Sequence, residues 1–535
     1  MDRVAAHPRL AAGVLTLLLF TFLLLTGYPL LNSGDDAFLM YTMGGGFGEA
    51  PTELLHYNHI WHPLLGWLGK TIFTLLPGLN GYTFLLVAFH FIATSTVATI
   101  ALKRLGVKAG TCMVLIFFMF FESRQLTSLT VTGSSFMLAL AGGLSVIHSL
   151  REKKTGLLHL AIPFTFLLLA GLLRLQVALL VMVLTGAVAV TVLQPKQWVR
   201  TGLLFAFVAA LLWLANQQHE AYYKKTIPGW EQQEQFRQAV FYAYNRPLRE
   251  KIPAGVFRNE QEQALFFAGY FYDNSRFTIA RVDSIAHAIT GTRSFARASD
   301  RKGFYWFFIE LRVYLLLFVA LFLLVRGNAV RQLLLRWAVA VLAYVAIHVY
   351  LFIFLKITVP LHFGLLAFLW VAFLVQTSKD CFSETYRSIQ RLAGLTLLIA
   401  AIAWMGIRLY KEREVNRTHA QQFYCGMQLL EANKDKIFVV TDDAFPISYF
   451  PVFATPVNYP AVNLVYKDRL LNGTYVQTLR RLGLTVADLV VPDNKAIILT
   501  GQPLEVLKQL RSGTYFSEAL PGSNCVELHQ LRQAP

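Results

Sequence analysis

The chain has 535 residues, of which 55% are hydrophobic and only 15% are charged, and its mean hydropathy is +0.48. Soluble domains carry about 25% charged residues, and disordered chains have little apolar surface to bury, so this composition excludes both classes. The formal net charge of +17 is typical of a membrane protein with basic cytoplasmic loops, without any need for nucleic acid. The composition predicts a polytopic membrane protein.

Apolar runs long enough to cross a bilayer, which takes roughly 20 residues, recur along the chain. The first, at residues 10–31, is longer than the apolar part of a signal peptide and has no small-residue cleavage pattern. The others lie near residues 80–102, 108–121, 127–149, 156–173, 175–194, 201–216, 304–325, 333–354, 361–377 and 392–409. The sequence therefore predicts about eleven transmembrane helices.

Basic residues orient these spans. Clusters of Lys and Arg occupy every second connection, so eleven spans with a cytoplasmic N-terminus place all the clusters in the cytoplasm, as the positive-inside bias requires. The clusters are Lys103/Arg104/Lys108, Arg151/Lys153/Lys154, Lys196/Arg200, Arg326/Arg331/Arg336 and Lys379/Arg387/Arg391. Counting residues 60–76 as another span would place the first cluster, Lys103/Arg104/Lys108, on the extracytoplasmic side. The apolar side chains of residues 60–76 recur at helical spacing, which predicts an amphipathic helix in the membrane interface instead.

Three large segments then face the extracytoplasmic side: a first loop (33–79), a second loop (217–303) and a tail from about residue 410. The tail alternates strand-like runs (437–441, 462–466, 487–491, 496–499) with helix-like runs (475–482, 503–511). This alternation predicts an extracytoplasmic α/β domain at 410–535, following a transmembrane domain at 1–409. Cys425 and Cys525 both lie in that domain. The sequence leaves open whether they form a disulfide or stay as two buried thiols.

The segment after the first span carries the densest set of polar residues. Asp35 and Asp36 stand side by side at the membrane exit and are followed by a glycine cluster, Gly44-Gly45-Gly46-Phe47-Gly48. Adjacent carboxylates near apolar surface raise each other's pKa toward the range in which one can act as a base. A solvated turn in which Ser33 caps a helix is the structural alternative.

This segment resembles the GT-C superfamily of membrane glycosyltransferases, which use polyprenyl-phosphate-linked sugars as donors. The pattern Gly34-Asp35-Asp36, Met40, Gly45, Gly48, Pro51, His56 and Asn58 is similar to that of a bacterial branch. The motif covers about residues 32–66, whereas the topology covers most of the chain. The resemblance implies inverting transfer, with an Asp of the motif deprotonating the acceptor hydroxyl. Asp36 is slightly preferred over Asp35 as this base.

A lipid-phosphate leaving group needs cations near the outer membrane surface, because negative charge develops on it. Three basic residues in short turns between spans oppose the positive-inside trend and are candidates for this role: Arg124, Arg174 and Lys356. His362 follows Lys356 closely and is grouped with them. Snorkelling, or bonding to helix-end carbonyls, is the alternative for such residues.

Acceptor binding is predicted for the first loop. Some GT-C members use a second acid there, with or without a divalent cation, so Glu49 and Glu53 are candidates and Mg²⁺ or Mn²⁺ stays open as a cofactor. Histidines spaced three apart lack a zinc signature, so hydrogen bonds to a sugar are favoured over metal ligation. The remaining acceptor candidates are His56, Asn58 and His62.

The sequence thus predicts an integral glycosyltransferase of the bacterial cytoplasmic membrane. It would transfer a sugar from a polyprenyl-phosphate donor to an acceptor hydroxyl of a glycan, lipid or protein. A lipid-linked glycan flippase and a protein like the O-antigen ligases or polymerases are the alternatives. Transporters usually carry ionisable residues at mid-membrane on broken helices in symmetric halves, and the sequence shows neither feature.

Overall fold

The computed structural model describes most of the chain: residues 7–153, 156–271, 275–292, 298–325, 327–355, 357–382, 388–440, 445–490, 496–500, 515–519 and 529–533. In this described part, eight helices are long and apolar enough to cross a membrane. The prediction of a polytopic α-helical membrane protein is therefore confirmed, while the count of eleven spans stays a prediction.

In the described part of the chain up to residue 376, the membrane bundle consists of nine long helices and one short one. They are α1 (Pro8–Thr26), α4 (Gly81–Phe117), α5 (Ser123–Thr127), α6 (Val131–Arg151), α7 (Leu157–Leu173), α8 (Leu175–Val192), α9 (Pro195–Thr226), α13 (Ala298–Leu324), α14 (Gly327–Phe354) and α15 (Val359–Gln376). Helix α16 (Ser388–Ala432) joins the bundle and then continues past residue 410. All eleven predicted spans overlap these helices.

Two of the predicted spans share α4. Gly106 has φ +77°, a conformation that glycine adopts without strain, and it breaks α4 into two helical pieces. A π-helical turn at Phe118–Glu122 joins the second piece to α5. Near the break, Arg104 and Arg151 each donate a hydrogen bond of 2.8 Å to the carbonyl oxygen of Val375. Basic side chains from two of the predicted cytoplasmic clusters therefore lie together and hold the C-terminal end of α15.

The opposite end of the bundle, called the loop side below, carries both loops. The first loop contains α2 (Gly34–Gly44) and α3 (Pro63–Leu75), and the second contains α10 (Trp230–Asn245), α11 (Glu260–Phe267) and α12 (Ile279–Ile289). Helix α3 has 13 residues, too few to cross a bilayer. Leu64, Trp67 and Leu75 on it are between 61% and 72% exposed. Such a short helix with exposed apolar side chains supports the predicted interfacial position.

The C-terminal region folds into a mixed five-stranded sheet with short helices. Its strand order is β4-β3-β5-β7-β6, with β3 parallel to both neighbours and the last two pairings antiparallel. The strands are β3 (Ile437–Val440), β4 (Leu464–Val465), β5 (Ala496–Thr500), β6 (Tyr515–Ala519) and β7 (His529–Gln533), and the helices are α17 (Lys467–Leu471), α18 (Val476–Leu482) and α19 (Val486–Val490). Strands and helices thus alternate as predicted for 437–482.

Both faces of strand β3 are buried. Its side chains point alternately to the second loop and to the membrane bundle, so the strand attaches the sheet to both. Ile437 and Val439 pack with the helices of the second loop. Phe438 and Val440 belong to the apolar core that continues into the membrane bundle. Because successive side chains of a strand point to opposite faces, four residues fix the sheet between the second loop and the bundle.

One predicted strand is wrong. Residues 487–491 were expected to be extended, but 486–490 form α19. The Asp488 carboxylate accepts hydrogen bonds from the backbone and hydroxyl of Thr485, an interaction that starts a helix and that a short apolar run does not reveal. Cys425 is disulfide-bonded, whereas Cys112 and Cys381 are free. Cys525 and the predicted helix at 503–511 lie outside the described residues.

Candidate functional site

The candidate site forms where the chain leaves the first span. Strand β1 (Leu30–Leu31) pairs in parallel with β2 (Ser128–Leu129). This pairing places the N-terminus of α2, which follows β1, beside the N-terminus of α6, which follows β2. The adjacent acids Asp35 and Asp36 occupy the first turn of α2. They therefore lie among backbone N–H groups that favour negative charge.

Asp36 is fully engaged in holding these helix ends together. One carboxylate oxygen accepts hydrogen bonds from the Tyr82 hydroxyl and from the Val131 N–H, at 2.8 Å for Val131. The other oxygen accepts from the Ser33 hydroxyl, and the Ser33 oxygen in turn caps α2 by accepting from the Asp36 N–H at 3.0 Å. Asp36 is 2% exposed. Burial raises the pKa of Asp36, although the three donors oppose this effect.

Asp35 has a different environment although it is the adjacent residue. Its side chain is half-buried, and one carboxylate oxygen accepts a hydrogen bond of 3.3 Å from the Tyr57 hydroxyl. Tyr57 is 1% exposed, and burial together with the nearby carboxylates raises its pKa well above the usual value. The phenol therefore stays protonated and acts as a donor. The two acids are adjacent in the sequence, but they differ in solvent exposure: Asp35 is half-buried and Asp36 is buried.

The C-terminal domain adds a third carboxyl group to this cluster. Asp468, in the first turn of α17, accepts a 2.9 Å hydrogen bond from the Tyr57 hydroxyl and also bonds to Asp35. It is 3% exposed, and burial followed by the charge of Asp35 raises its pKa well above the usual value. A Cβ on Gly34 would lie 3.0 Å from an Asp468 carboxylate oxygen, so the glycine allows this close approach.

Arg174 supplies the positive charge of the cluster. It separates α7 from α8, and the first loop docks on this turn through backbone hydrogen bonds of 2.8 Å from Trp61 to Leu173 and from His62 to Leu172. The guanidinium donates to the Thr132 hydroxyl and interacts electrostatically with Asp35 and with Asp36. The structure thus brings three of the predicted site residues together at the loop side.

The two predicted acceptor acids lie on different sides of this cluster. Glu49 is 3.7 Å from Arg469 of the C-terminal domain, and burial raises its pKa while the cation opposes the effect. Glu53 forms an ion pair of 2.8 Å with Lys70 of α3 and accepts a 3.1 Å hydrogen bond from Tyr222 of α9. The hydrogen bond from Lys70 lowers the pKa of Glu53.

Two of the first-loop histidines, His59 and His62, line one small pocket together with His219. Burial lowers the pKa of His56 to about 4, so this ring is neutral at pH 7. His62 caps α3 by accepting from the Leu64 N–H at 3.2 Å, and its other ring nitrogen lies 3.1 Å from the Ala215 carbonyl oxygen. Asn58 is 7% exposed and accepts from the His59 N–H. His62 and Glu53 line a groove of roughly 370 Å³ between α3 and α9.

Two of the other predicted phosphate ligands, Arg124 and His362, form a separate cluster. Arg124 lies 3.8 Å from Glu310 and 3.5 Å from Glu412, and it stacks over the Phe363 ring at 4.2 Å. His362, next to Phe363, is buried and interacts with Arg124. Two carboxylates thus already face the Arg124 charge. Lys356 lies outside the described residues.

Three residues of the cluster were not predicted from the sequence. Tyr57 stands within the motif that was quoted, so proximity in sequence was an available signal. Tyr82 and Asp468 come from α4 and from the C-terminal domain, and no local pattern marks either of them. In the described part of the chain, no three His, Cys, Asp or Glu side chains are grouped as a metal site requires.

No family model and no curated protein matches the chain. Two solved structures are similar to it in fold, both of ArnT from Cupriavidus metallidurans. The apo structure has a TM-score of 0.44 and 13% sequence identity, with 97% of each chain covered. The structure bound to undecaprenyl phosphate has a TM-score of 0.41 and 13% identity, covering 98% of this chain and 97% of the other.

Proposed function

We propose that the protein is an integral-membrane glycosyltransferase. It would transfer a sugar from a polyprenyl-phosphate donor to an acceptor hydroxyl on the extracytoplasmic face of the bacterial cytoplasmic membrane. The observation that supports this most is the juxtaposition of Asp35 with Arg174 at the loop-side ends of the spans. A base and a cation placed together at that depth match the two charges that develop during the transfer.

In this reaction the acceptor hydroxyl attacks the anomeric carbon from the face opposite the phosphate. A new bond forms between the acceptor oxygen and that carbon, while the bond from the carbon to the phosphate oxygen breaks. The electron pair of the broken bond leaves with the polyprenyl phosphate, and the hydroxyl proton passes to a carboxylate. Attack from the opposite face inverts the anomeric configuration.

The contacts favour Asp35 over Asp36 as the base, contrary to the slight preference from sequence. A general base must reach the proton that it accepts, and the Asp36 oxygens are occupied by three donors in a buried site. Asp35 is partly exposed, and its hydrogen-bond partners are one phenol, Tyr57, and one carboxyl group, Asp468. We therefore assign Asp35 as the base and Asp36 as the residue that positions α2 against α6.

Arg174 is the proposed ligand of the donor phosphate. It belongs to a backbone-fixed turn, and its position beside Asp35 would hold the phosphate next to the attacking hydroxyl. Arg124 is a weaker candidate because Glu310 and Glu412 already neutralise it. Lys356 and His362 stay predictions for the same role. Glu53 and His62 are proposed to face the acceptor, because they line the groove beside α3.

The test is transfer by the whole protein in lipid nanodiscs. A panel of undecaprenyl-phosphate sugars carrying a radiolabel serves as donor, and an extract of envelope lipids and glycans serves as acceptor. We expect label to move from donor to acceptor with wild-type protein and not with Asp35→Asn. Asp435→Asn, an exposed aspartate of the C-terminal domain, is the matched control. A second assay uses the protein in sealed lipid vesicles. Lipid-linked sugar that crosses the vesicle membrane without being consumed would indicate a flippase instead.

A further inference from the structure

The Asp468 carboxyl group is the feature that the proposed reaction leaves unused. It belongs to the C-terminal domain, yet it lies against the first turn of α2. The Tyr57 hydroxyl is within hydrogen-bonding distance of both Asp468 and Asp35, at 2.9 and 3.3 Å. Two carboxyl groups and one phenol from three separate segments therefore form one hydrogen-bonded cluster.

We propose that Asp468 is a positioning residue for the transfer reaction, which forms a proton-sharing pair with Asp35 and holds the Asp35 carboxylate in the orientation of the base. This inference rests on the proposed function. It goes beyond it by assigning a part of the site to the C-terminal domain.

A shared proton accounts for two carboxyl groups that both lie within hydrogen-bonding distance of one phenol. Two carboxylates in hydrogen-bonding contact repel each other, and an ionised pair has no proton to form the bond between them. Asp468 is 3% exposed, whereas Asp35 is half-buried, so the charge is more stable on Asp35. The arrangement therefore places the proton on Asp468, which donates it in a hydrogen bond to the Asp35 carboxylate.

The charged groups around the pair also act on this placement of the proton on Asp468. Arg174 interacts electrostatically with Asp35. On the other side, Lys467 interacts with Asp468 and opposes its protonation, but burial and the charge of Asp35 outweigh it. The titratable and charged groups that face the pair are Asp36, Tyr57, Tyr82, Arg174, Arg237, Tyr466 and Lys467.

The proton balance during a turnover follows from this state. Before the reaction the pair holds one proton, on Asp468. The acceptor hydroxyl gives a second proton to Asp35 as its oxygen bonds to the sugar. After the products leave, one proton passes to solvent and the pair returns to its starting state. The Tyr57 hydroxyl donates throughout and fixes the distance between the two acids.

Two variants of Asp468 separate this role from simple packing. In Asp468→Asn the amide N–H can replace the acid as donor, so we expect kcat at neutral pH within about threefold of wild type. In Asp468→Ala the donor is lost, so kcat/KM should fall about 10- to 100-fold, as the loss of one hydrogen bond to a charged group predicts. The acid limb of the kcat/KM profile should also move up by about one pH unit in the Ala variant only.

A spectroscopic measurement tests the pair without any turnover. Infrared difference spectra between wild type and Asp468→Asn at neutral pH should show a protonated-carboxyl band in wild type only, and the control Asp435→Asn should show none. Loss of that band difference would overturn the inference, and so would an Ala variant whose pH profile matches wild type. If the protein transfers no sugar at all, the proposed function fails, but the spectra still decide whether the pair exists.

Discussion

Replacing Asp35 and Asp36 one at a time by asparagine separates the two roles assigned to these acids. Asp35→Asn and Asp36→Asn are nearly isosteric changes at adjacent positions of α2, and each removes one carboxylate. If Asp35 is the base, its variant loses chemistry and keeps the fold. If Asp36 joins α2 to α6, its variant loses stability first.

The expected magnitudes follow from the contacts. Asp35 accepts a hydrogen bond from the Tyr57 hydroxyl and is also hydrogen-bonded to Asp468, and an amide oxygen can still accept from both groups. General-base catalysis is worth about 10²–10⁴-fold, so kcat of Asp35→Asn should fall by that factor with an unchanged melting temperature. Asp36 accepts from three donors, and an amide cannot accept at both ends. Leaving one buried donor unpaired should cost about 1–3 kcal/mol of stability.

The assay combines turnover with thermal unfolding. Initial rates with purified donor and acceptor give kcat for each variant per folded molecule, and the melting temperature in the same detergent reports stability. Donor affinity, measured by binding of the labelled lipid, should be unchanged in Asp35→Asn. Wild-type turnover in both single variants would refute the mechanism. Loss of kcat in Asp36→Asn with an unchanged melting temperature would reverse the assignment of base and structural acid.

Three further outcomes are expected. Arg174→Gln should raise the donor KM and lower kcat together, and Arg174→Lys should recover part of both in steady-state kinetics, because a phosphate cation acts in binding and in leaving-group stabilisation. Glu53→Gln weakens the contact with Lys70, so the acceptor KM should rise several-fold at unchanged donor KM. Burial lowers the pKa of His56 to about 4, so the unfolded chain binds more protons below about pH 6.5. Stability should therefore fall as the pH drops from about 6.5 to 4, and His56→Gln should lessen this fall in melting experiments.

The spans and the acidic site of the first loop were predictable because their signals are local. A run of apolar residues by itself predicts a membrane span, and basic residues between the runs predict which connections are cytoplasmic. The pairing of two acids in one helix turn is equally visible in sequence, as is the Ser33 cap of α2. These features need no knowledge of which segments meet in the folded chain.

The completion of the site was not predictable because it depends on distant contacts. Tyr57 and Asp468 are separated by 411 positions, and they meet only because β3 fixes the C-terminal domain against the bundle. The same limit explains why the sequence could not select one of the isolated cations as the phosphate ligand. The backbone pairing of the first loop with the α7–α8 turn selects Arg174, whereas Glu310 and Glu412 engage Arg124.

The contrast between Asp35 and Asp36 shows how one sequence motif supplies two functions. The residues are chemically identical and adjacent, so composition and spacing cannot divide their roles. In the helix turn the two side chains point in different directions. Asp36 contacts the N-terminal ends of α4 and α6, whereas Asp35 contacts the first loop and the C-terminal domain. Burial among three donors makes Asp36 a structural link, whereas partial exposure beside Tyr57 and Asp468 leaves Asp35 able to accept a proton. The division of labour is therefore a property of the assembled loop side, and only variants of the whole protein can test it.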